Sequence, residues 1–315
     1  MSLMDELGGS IETVLRDQAS AVVSIGGGWR GGSGIVVGDG LVLTNAHNVR
    51  GEEPQIRFSD GRTAEGRLIA GDVDGDLAVI SVDTGGIAPL RWSTTAARVG
   101  QPVLVVSGSG ERRRVTWGTV SSVAQAFRGP RGRRIAGSIE HTAPMAPGSS
   151  GSPVLTMDGQ LLGLNTSRMD AFYLAIPADD ALRARVDALG RGETPRQRRL
   201  GVAVAPAQAA RRMRRAVGLP ERDGVLIREV DPDGAGAEAG LREGDLIIAA
   251  GDRTVASVDD LQDVLAGAGA GELSLLVVRG MEDVRVTVPS DATSTEGPGI
   301  GSERAPGTEK PPRPN

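Results

Sequence analysis

The 315-residue chain has no cysteine, two histidines and only 2% aromatic residues. The first absence removes disulfides, thiolate nucleophiles and thiolate metal sites. It leaves the compartment open, because large extracytoplasmic proteins also fold without disulfides. The two histidines, His47 and His141, lack metal-ligand spacing, so no metal or cofactor is expected. With so few aromatics, Val, Leu, Ile and Ala must fill the interior, aided by Phe58, Trp92, Trp117 and Phe172. No apolar run approaches the roughly 20 residues of a membrane span, so no integral membrane segment is expected. The first residues show no basic segment followed by an apolar one. Read as it stands, the chain is expected in the cytoplasm, or in the periplasm or another extracytoplasmic space if an export signal is missing from it.

Net charge is -5 despite arginine clusters at 112–114, 128–134 and 211–215. A nucleic-acid reader concentrates positive charge on one domain and adds stacking aromatics or a recognition motif. These clusters have neither, so they read as solvated arginine and no nucleic-acid partner is expected.

The pattern of turns and apolar runs divides the chain. Residues 1–18 are expected to form a short helix, with Leu7, Ile11 and Leu15 at helical spacing as a stripe for docking on the body or on another subunit. Strands are expected at 21–25, 34–37, 41–44, 55–58, 62–68 and 77–82, with turns at Asp39-Gly40 and Asp60-Gly61. A second set follows at 101–106, 115–123, 135–140, 152–155 and 161–165, closed by a helix over 178–189. The polar stretch 191–199 reads as a linker and 200–289 as a compact second domain. In that domain Ser257 to Leu261 opens a helix through a capping box, and Leu261 and Leu265 share one face. Residues 290–315 lack an apolar pattern and are expected to be disordered.

Three residues carry chemistry when taken together. His47 follows an apolar run, Asp76 leads into a strand, and Ser150 sits in Pro147-Gly148-Ser149-Ser150-Gly151-Ser152-Pro153. They supply a base, a carboxylate to fix its tautomer, and a hydroxyl in a turn whose Gly148 and Ser150 N–H groups can receive an oxyanion. Their order limits the scaffold. An α/β-hydrolase places its histidine last, and no histidine follows Ser150. A subtilisin-like order would use an acid before His47, with Asp39 nearest, but requires long helices between strands. His, then Asp, then Ser is the order of the double β-barrel serine proteases. The expected fold is therefore mostly β: a trypsin-like double barrel over 19–190, then an α+β domain.

At these residues the chain resembles the HtrA, or Deg, family of trypsin-fold serine proteases. The matches are Gly32-Ser33-Gly34-Ile35-Val36-Val37, Thr44-Asn45-Ala46-His47, Asp76-Leu77-Ala78-Val79, the Ser150 turn, and Asp158 to Thr166 followed by Leu174-Ala175-Ile176-Pro177. Ala239 to Ile247 and Leu200-Gly201-Val202 resemble the family's PDZ domain. The resemblance implies an ATP-independent endopeptidase acting on unfolded or misfolded proteins. It also implies peptide C-termini bound through Leu200, Gly201, Val202, Leu261 and Leu265 and raising turnover, and a homotrimer of protease domains. It places the primary pocket at Pro144, Leu164, Asn165 and Thr166. With Pro144 in place of an acid six residues before Ser150, small or medium aliphatic residues are expected before the scissile bond.

The chain also departs from the family pattern. Gly-Asn-Ser-Gly-Gly becomes Gly148-Ser149-Ser150-Gly151-Ser152, and His-Val-Val becomes His47-Asn48-Val49. The long first-barrel loop of periplasmic members is missing, and the first aromatic is Trp29, beyond the N-terminal region that supplies family trimer contacts. Two other readings stay open: a glutamate-specific pocket built on His141, and a chaperone-like or peptide-binding scaffold whose protease site is resting or inactive.

Overall fold

The computed structural model describes residues 2–26, 31–128, 134–169, 172–194, 198–267 and 271–289. The chain divides near residue 195 into two compact units. No helix among the described residues is long and apolar enough to cross a membrane.

The first unit opens with α1 (Leu3–Gln18), whose N-terminus is closed reciprocally. The Ser2 hydroxyl accepts the Asp5 N–H, and the Asp5 carboxylate accepts the Ser2 N–H. Ile11 and Leu15 of the predicted stripe, together with Val14, pack on the unit's own core.

Seven strands follow: β1 (Val22–Ile25), β2 (Gly32–Gly38), β3 (Leu41–Thr44), β4 (Gln55–Arg57), β5 (Thr63–Glu65), β6 (Arg67–Asp72) and β7 (Leu77–Ser81). They pair in the order β5-β4-β1-β2-β3-β7-β6. The stretch expected as one strand over 62–68 is two, on opposite edges of this sheet and joined through Gly66 alone. Consecutive residues can serve both edges only if the sheet rolls onto itself, which makes the first barrel. Gly66 takes the corner because an added Cβ would lie 2.5 Å from Ile80 Cγ2.

The second barrel is closed by its own ladder. Its strands are β8 (Pro102–Ser107), β9 (Arg114–Arg128), β10 (Arg134–His141), β11 (Pro153–Leu155), β12 (Leu161–Met169) and β13 (Phe172–Pro177). Sequence patterning did not pick out β13 as a separate strand. Helix α2 (Asp180–Gly190) ends the unit, with the Asp179 side chain capping the Leu182 N–H.

The interior is aliphatic, with Phe58 the large aromatic fully enclosed in it among the described residues. Trp117 and Phe172 were expected to fill the core, but they are 52% and 42% exposed. On β9, Gly118 packs against the Ala143 backbone and Val120 is buried, so this face turns inward and alternation turns Trp117 outward.

The second unit runs β14 (Val202–Ala205), α3 (Ala207–Ala216), β15 (Val225–Val230), α4 (Ala235–Glu238), β16 (Leu246–Ala250), β17 (Arg253–Thr254), α5 (Val258–Gly267), β18 (Leu273–Arg279) and β19 (Glu282–Val288). Its sheet order is β14-β15-β16-β18-β19, with β17 on β16, so β14 is an edge strand. The capping box forms: Asp260 N–H donates to Ser257 Oγ, and Ser257 N–H donates to the Asp260 carboxylate. One arginine of the expected solvated cluster is buried. Arg214 donates from Nε to the Pro220 carbonyl and from Nη2 to the Gly280 carbonyl, whereas Arg211 and Arg215 pair on the surface with Asp223 and Glu221. The expected disorder of 290–315 falls outside the described residues.

Candidate active site

His47 lies in a single helical turn, Ala46–Asn48, two residues after β3 ends. Its Nδ1 lies 2.8 and 2.9 Å from the two carboxylate oxygens of Asp76, and its backbone N–H donates to Oδ1 at 3.2 Å. A carboxylate only accepts, so Nδ1 carries the proton and Nε2 is left as the basic nitrogen. The imidazole is one-third exposed, whereas Asp76 is buried.

Asp76 sits at φ 55°, the single non-glycine residue with positive φ among those described. Such a conformation costs on the order of 1–3 kcal/mol and persists where neighbours over-determine it. Here the Asp76 carbonyl accepts Asn45 Nδ2 at 3.0 Å. The turn before it is tied by the Gly75 N–H donating to the buried Asp72 carboxylate, beside Arg185 of α2. Thr166 adds a third donor to the Asp76 carboxylate, its hydroxyl lying 2.6 Å from Oδ2.

Ser150 lies in the connection between β10 and β11. Just before it, Ser149 N–H closes a turn onto the Ala146 carbonyl, with Pro147 and Gly148 at the corners and Gly148 at φ 86°. Proline followed by a residue of positive φ is the type II pattern, which favours glycine at the second corner. The N–H groups of Ser149, Gly151 and Ser152 are all bonded to carbonyls. Those of Gly148 and Ser150 have no partner among the described residues, which leaves this pair open to an incoming oxyanion. The Ser150 hydroxyl donates to the Thr166 carbonyl at 2.9 Å. No bond joins it to His47 among the described residues.

Residues predicted to share a primary pocket occupy different surroundings. Pro144 is exposed, Leu164 belongs to the core, and Thr166 holds Asp76 with its side chain and Ser150 with its carbonyl. Asn165 is fully buried with its amide engaged at both ends: Oδ1 lies 2.7 Å from His141 Nε2, and Nδ2 donates to Ser152 Oγ at 3.0 Å. His141 is also fully buried and stacks on Tyr173, which removes it from the surface a substrate side chain would meet. Burial pushes its pKa below the ordinary histidine value, against an opposing hydrogen bond with Asn165.

Sequence reasoning missed Ser33, Asn48 and Thr166 as partners of the three candidate residues. Ser33 N–H donates to the Ser150 carbonyl and Ser33 Oγ to the Gly148 carbonyl. The only forewarning was that Ser33 and Thr166 lie in motifs already singled out, and that Asn48 breaks the family pattern.

In the second unit, Leu200, Val202, Leu261 and Leu265 join one apolar cluster. Gly201 sits at φ 66°, and an added Cβ would lie 3.0 Å from Gly234 Cα. The carbonyls of Leu200 and Gly201 are bonded, while their N–H groups have no partner among the described residues. Among the described residues no group of three or more His, Asp or Glu could hold a metal ion.

Comparison with known proteins agrees with this geometry. Residues 32–164 match the trypsin-like peptidase domain and residues 226–279 the PDZ domain. The putative serine protease HhoA of Synechocystis is 33% identical over 82% of this chain and 69% of its own length. A probable periplasmic serine endoprotease DegP-like of Halomonas elongata is 31% identical, and serine protease HTRA1 of Xenopus tropicalis 32%, each over 82% of this chain. The chain spans 55% and 59% of those two relatives' lengths. The solved structure of the HtrA-type protease AlgW with a decapeptide superposes with TM-score 0.73 at 21% identity, over 88% of this chain and 97% of that one. The chain belongs to the HtrA, or Deg, family of trypsin-fold serine proteases in which a PDZ domain follows the protease domain.

Proposed function

We propose that this chain is a serine endopeptidase that hydrolyses unfolded or misfolded proteins without ATP. The carrying observation is the His47–Asp76 pair, with Nε2 left basic, beside a serine turn in which two backbone N–H groups have no partner among the described residues. The Ser150 hydroxyl turns from the Thr166 carbonyl to His47 Nε2, which takes its proton as Oγ attacks the peptide carbonyl. The oxyanion accepts the Gly148 and Ser150 N–H groups, and Asp76 stabilises the imidazolium. His47 then gives the proton to the leaving amine, and water releases the acyl group by the reverse path. A fluorophosphonate should label the wild type but not Ser150→Ala, and digestion of an unfolded protein should vanish in the same variant. Undiminished turnover by Ser150→Ala would end this reading.

A resting enzyme is the second reading, favoured by the Ser150 hydroxyl bonded to Thr166 instead of His47. Labelling that begins only when a C-terminal peptide is added would select it, and no labelling even then would favour a binding scaffold.

The finer assignments follow the family and the local chemistry. Residues 19–190 form the protease domain, 191–199 the linker and 200–289 the PDZ domain. Small or medium aliphatic side chains enter the primary pocket, because Pro144 offers no charge to Lys or Arg; dominant cleavage after Lys or Arg in a peptide library would refute this. The edge strand β14 and the Leu200 and Gly201 N–H groups, which have no partner among the described residues, support capture of a peptide's terminal carboxylate, the chain adding as a strand near Leu261 and Leu265. Amidating the peptide C-terminus should then weaken binding. The protease domains form a trimer, which light scattering of the intact chain tests. The compartment is extracytoplasmic, a reading supported by the periplasmic name of the Halomonas relative and tested by cell fractionation.

A further inference from the structure

We propose that Asn48 is a positioning residue, whose side-chain amide grips the Ser150 carbonyl and holds the serine turn in the form that leaves the Gly148 and Ser150 N–H groups without a partner among the described residues. The inference rests on the peptidase reading above. Asn48 is the residue that departs from the family's His-Val-Val pattern, immediately after the proposed base.

The geometry gives the side chain a definite task. Asn48 Nδ2 donates to the Ser150 carbonyl at 2.9 Å and to Thr44 Oγ1 at 3.0 Å, so both amide hydrogens are used. Reversing the amide would bring Oδ1 against a carbonyl that can only accept, which sets the orientation. Thr44 Oγ1 in turn donates to the Ser33 carbonyl at 2.7 Å, and Ser33 N–H makes the second bond to the Ser150 carbonyl at 2.8 Å. Two glycines leave room for this amide. An added Cβ would come within 2.2 Å of it from Gly32 and within 3.0 Å from Gly151.

The Ser150 carbonyl and the Gly151 N–H belong to one peptide plane. Its oxygen is held by Asn48 and Ser33 and its N–H by the Asn165 carbonyl at 2.8 Å, so the plane cannot rotate without breaking three bonds. On the other side of the serine, the Gly148 carbonyl is held by Ser33 Oγ at 2.9 Å. The amides left over are those of Gly148 and Ser150. Asn48 adds a linkage that Ser33 cannot supply: it shares a single turn with His47, so the base and the nucleophile's backbone are tied through one peptide. Valine has no donor for this bond.

The test compares wild type, Asn48→Ala, which empties the slot, and Asn48→Asp, which keeps the shape but loses the donor. We expect both variants to melt cooperatively, with kcat on a peptide substrate reduced about tenfold or more and KM within about twofold. Affinity for a peptide aldehyde, which forms the tetrahedral adduct, should fall by the same factor, while affinity for the cleaved product peptide stays unchanged. If the wild type reacts with a fluorophosphonate and Asn48→Ala reacts within about twofold of its rate, the inference is overturned and the peptidase reading stands. Equal losses in aldehyde and product binding would make Asn48 merely structural and also overturn it. A wild type that never labels removes the peptidase reading, and the inference with it. Should Asn48→Asp fail to fold, Asn48→Ala decides alone.

Discussion

The two histidines occupy contrasting regions, the first-barrel rim around His47 and the second-barrel interior around His141. His47 is one-third exposed and donates its Nδ1–H to the Asp76 carboxylate, which leaves Nε2 as the free nitrogen. His141 is enclosed and holds the opposite tautomer. Because Asn165 Nδ2 donates to Ser152, Asn165 Oδ1 faces His141 and Nε2 carries the proton, leaving Nδ1 buried without a partner. Exposure and an acid partner suit the first imidazole to the proposed role of base, while burial against a neutral amide suits the second to a structural one.

The sharpest way to break this contrast is to remove each imidazole in turn. His47→Ala should lower kcat by on the order of 10⁴- to 10⁶-fold, as should Ser150→Ala, and the double variant should lose little more because the residues act as a unit. His141→Ala should stay within about tenfold of the wild type per folded molecule, the range of a lost packing contact and not of a lost base. Steady-state kinetics on a peptide substrate, normalised to the folded fraction, decides the matter; equal losses for the two histidines would erase the distinction. Asp76→Asn comes next, at about 10⁴-fold, because an amide facing Nδ1 favours the wrong tautomer.

A smaller effect sharpens the rim side of the comparison. Thr166→Val keeps volume but removes the hydroxyl that donates to Asp76 at 2.6 Å. One charge-assisted hydrogen bond is worth about 1.5–3 kcal/mol, so a fall in kcat of roughly tenfold or more is expected with KM nearly unchanged. Wild-type kinetics in this variant would show that Asn45, His47 and the turn at Gly75 hold Asp76 sufficiently alone.

What the sequence made legible was what it codes locally. Each of the three proposed residues sits in its own short motif, and their order along the chain argues against other scaffolds, so His47, Asp76 and Ser150 could be singled out before any geometry. The links among them are long-range. Thr166 reaches Asp76 across 90 residues, and Asn48 reaches Ser150 across 102. No periodicity records such contacts. The strand bent at Gly66 was read as one because a corner between two edges leaves only a glycine in the text. Trp117 and Phe172 were assigned to the core from hydrophobicity, although alternation about Gly118 turns Trp117 outward. Arg214 was read as solvated because a buried guanidinium bonded to carbonyls looks, in sequence, like any surface arginine.

The smallest predicted effect concerns His141 and stability. Burial lowers its pKa from the ordinary value near 6.5, so the folded chain binds a proton there less readily than the unfolded chain does. Stability therefore rises with pH wherever the unfolded state holds the extra proton. The contribution is fully present above the unfolded pKa and is lost as pH falls from there towards the folded value. Protonation would also place a second N–H at Nδ1, where no acceptor waits. His141→Gln offers Asn165 Oδ1 an amide donor but no titrating group. Its melting temperature should change less than that of the wild type between pH ~7.5 and ~5.5, with about 2–4 °C for each kcal/mol of difference. Differential scanning calorimetry across that range checks it, with His47→Gln as the comparison from the exposed rim. Parallel pH profiles for wild type and His141→Gln would mean that His141 binds its proton as readily in the folded chain as in the unfolded one, and that burial leaves its titration unchanged.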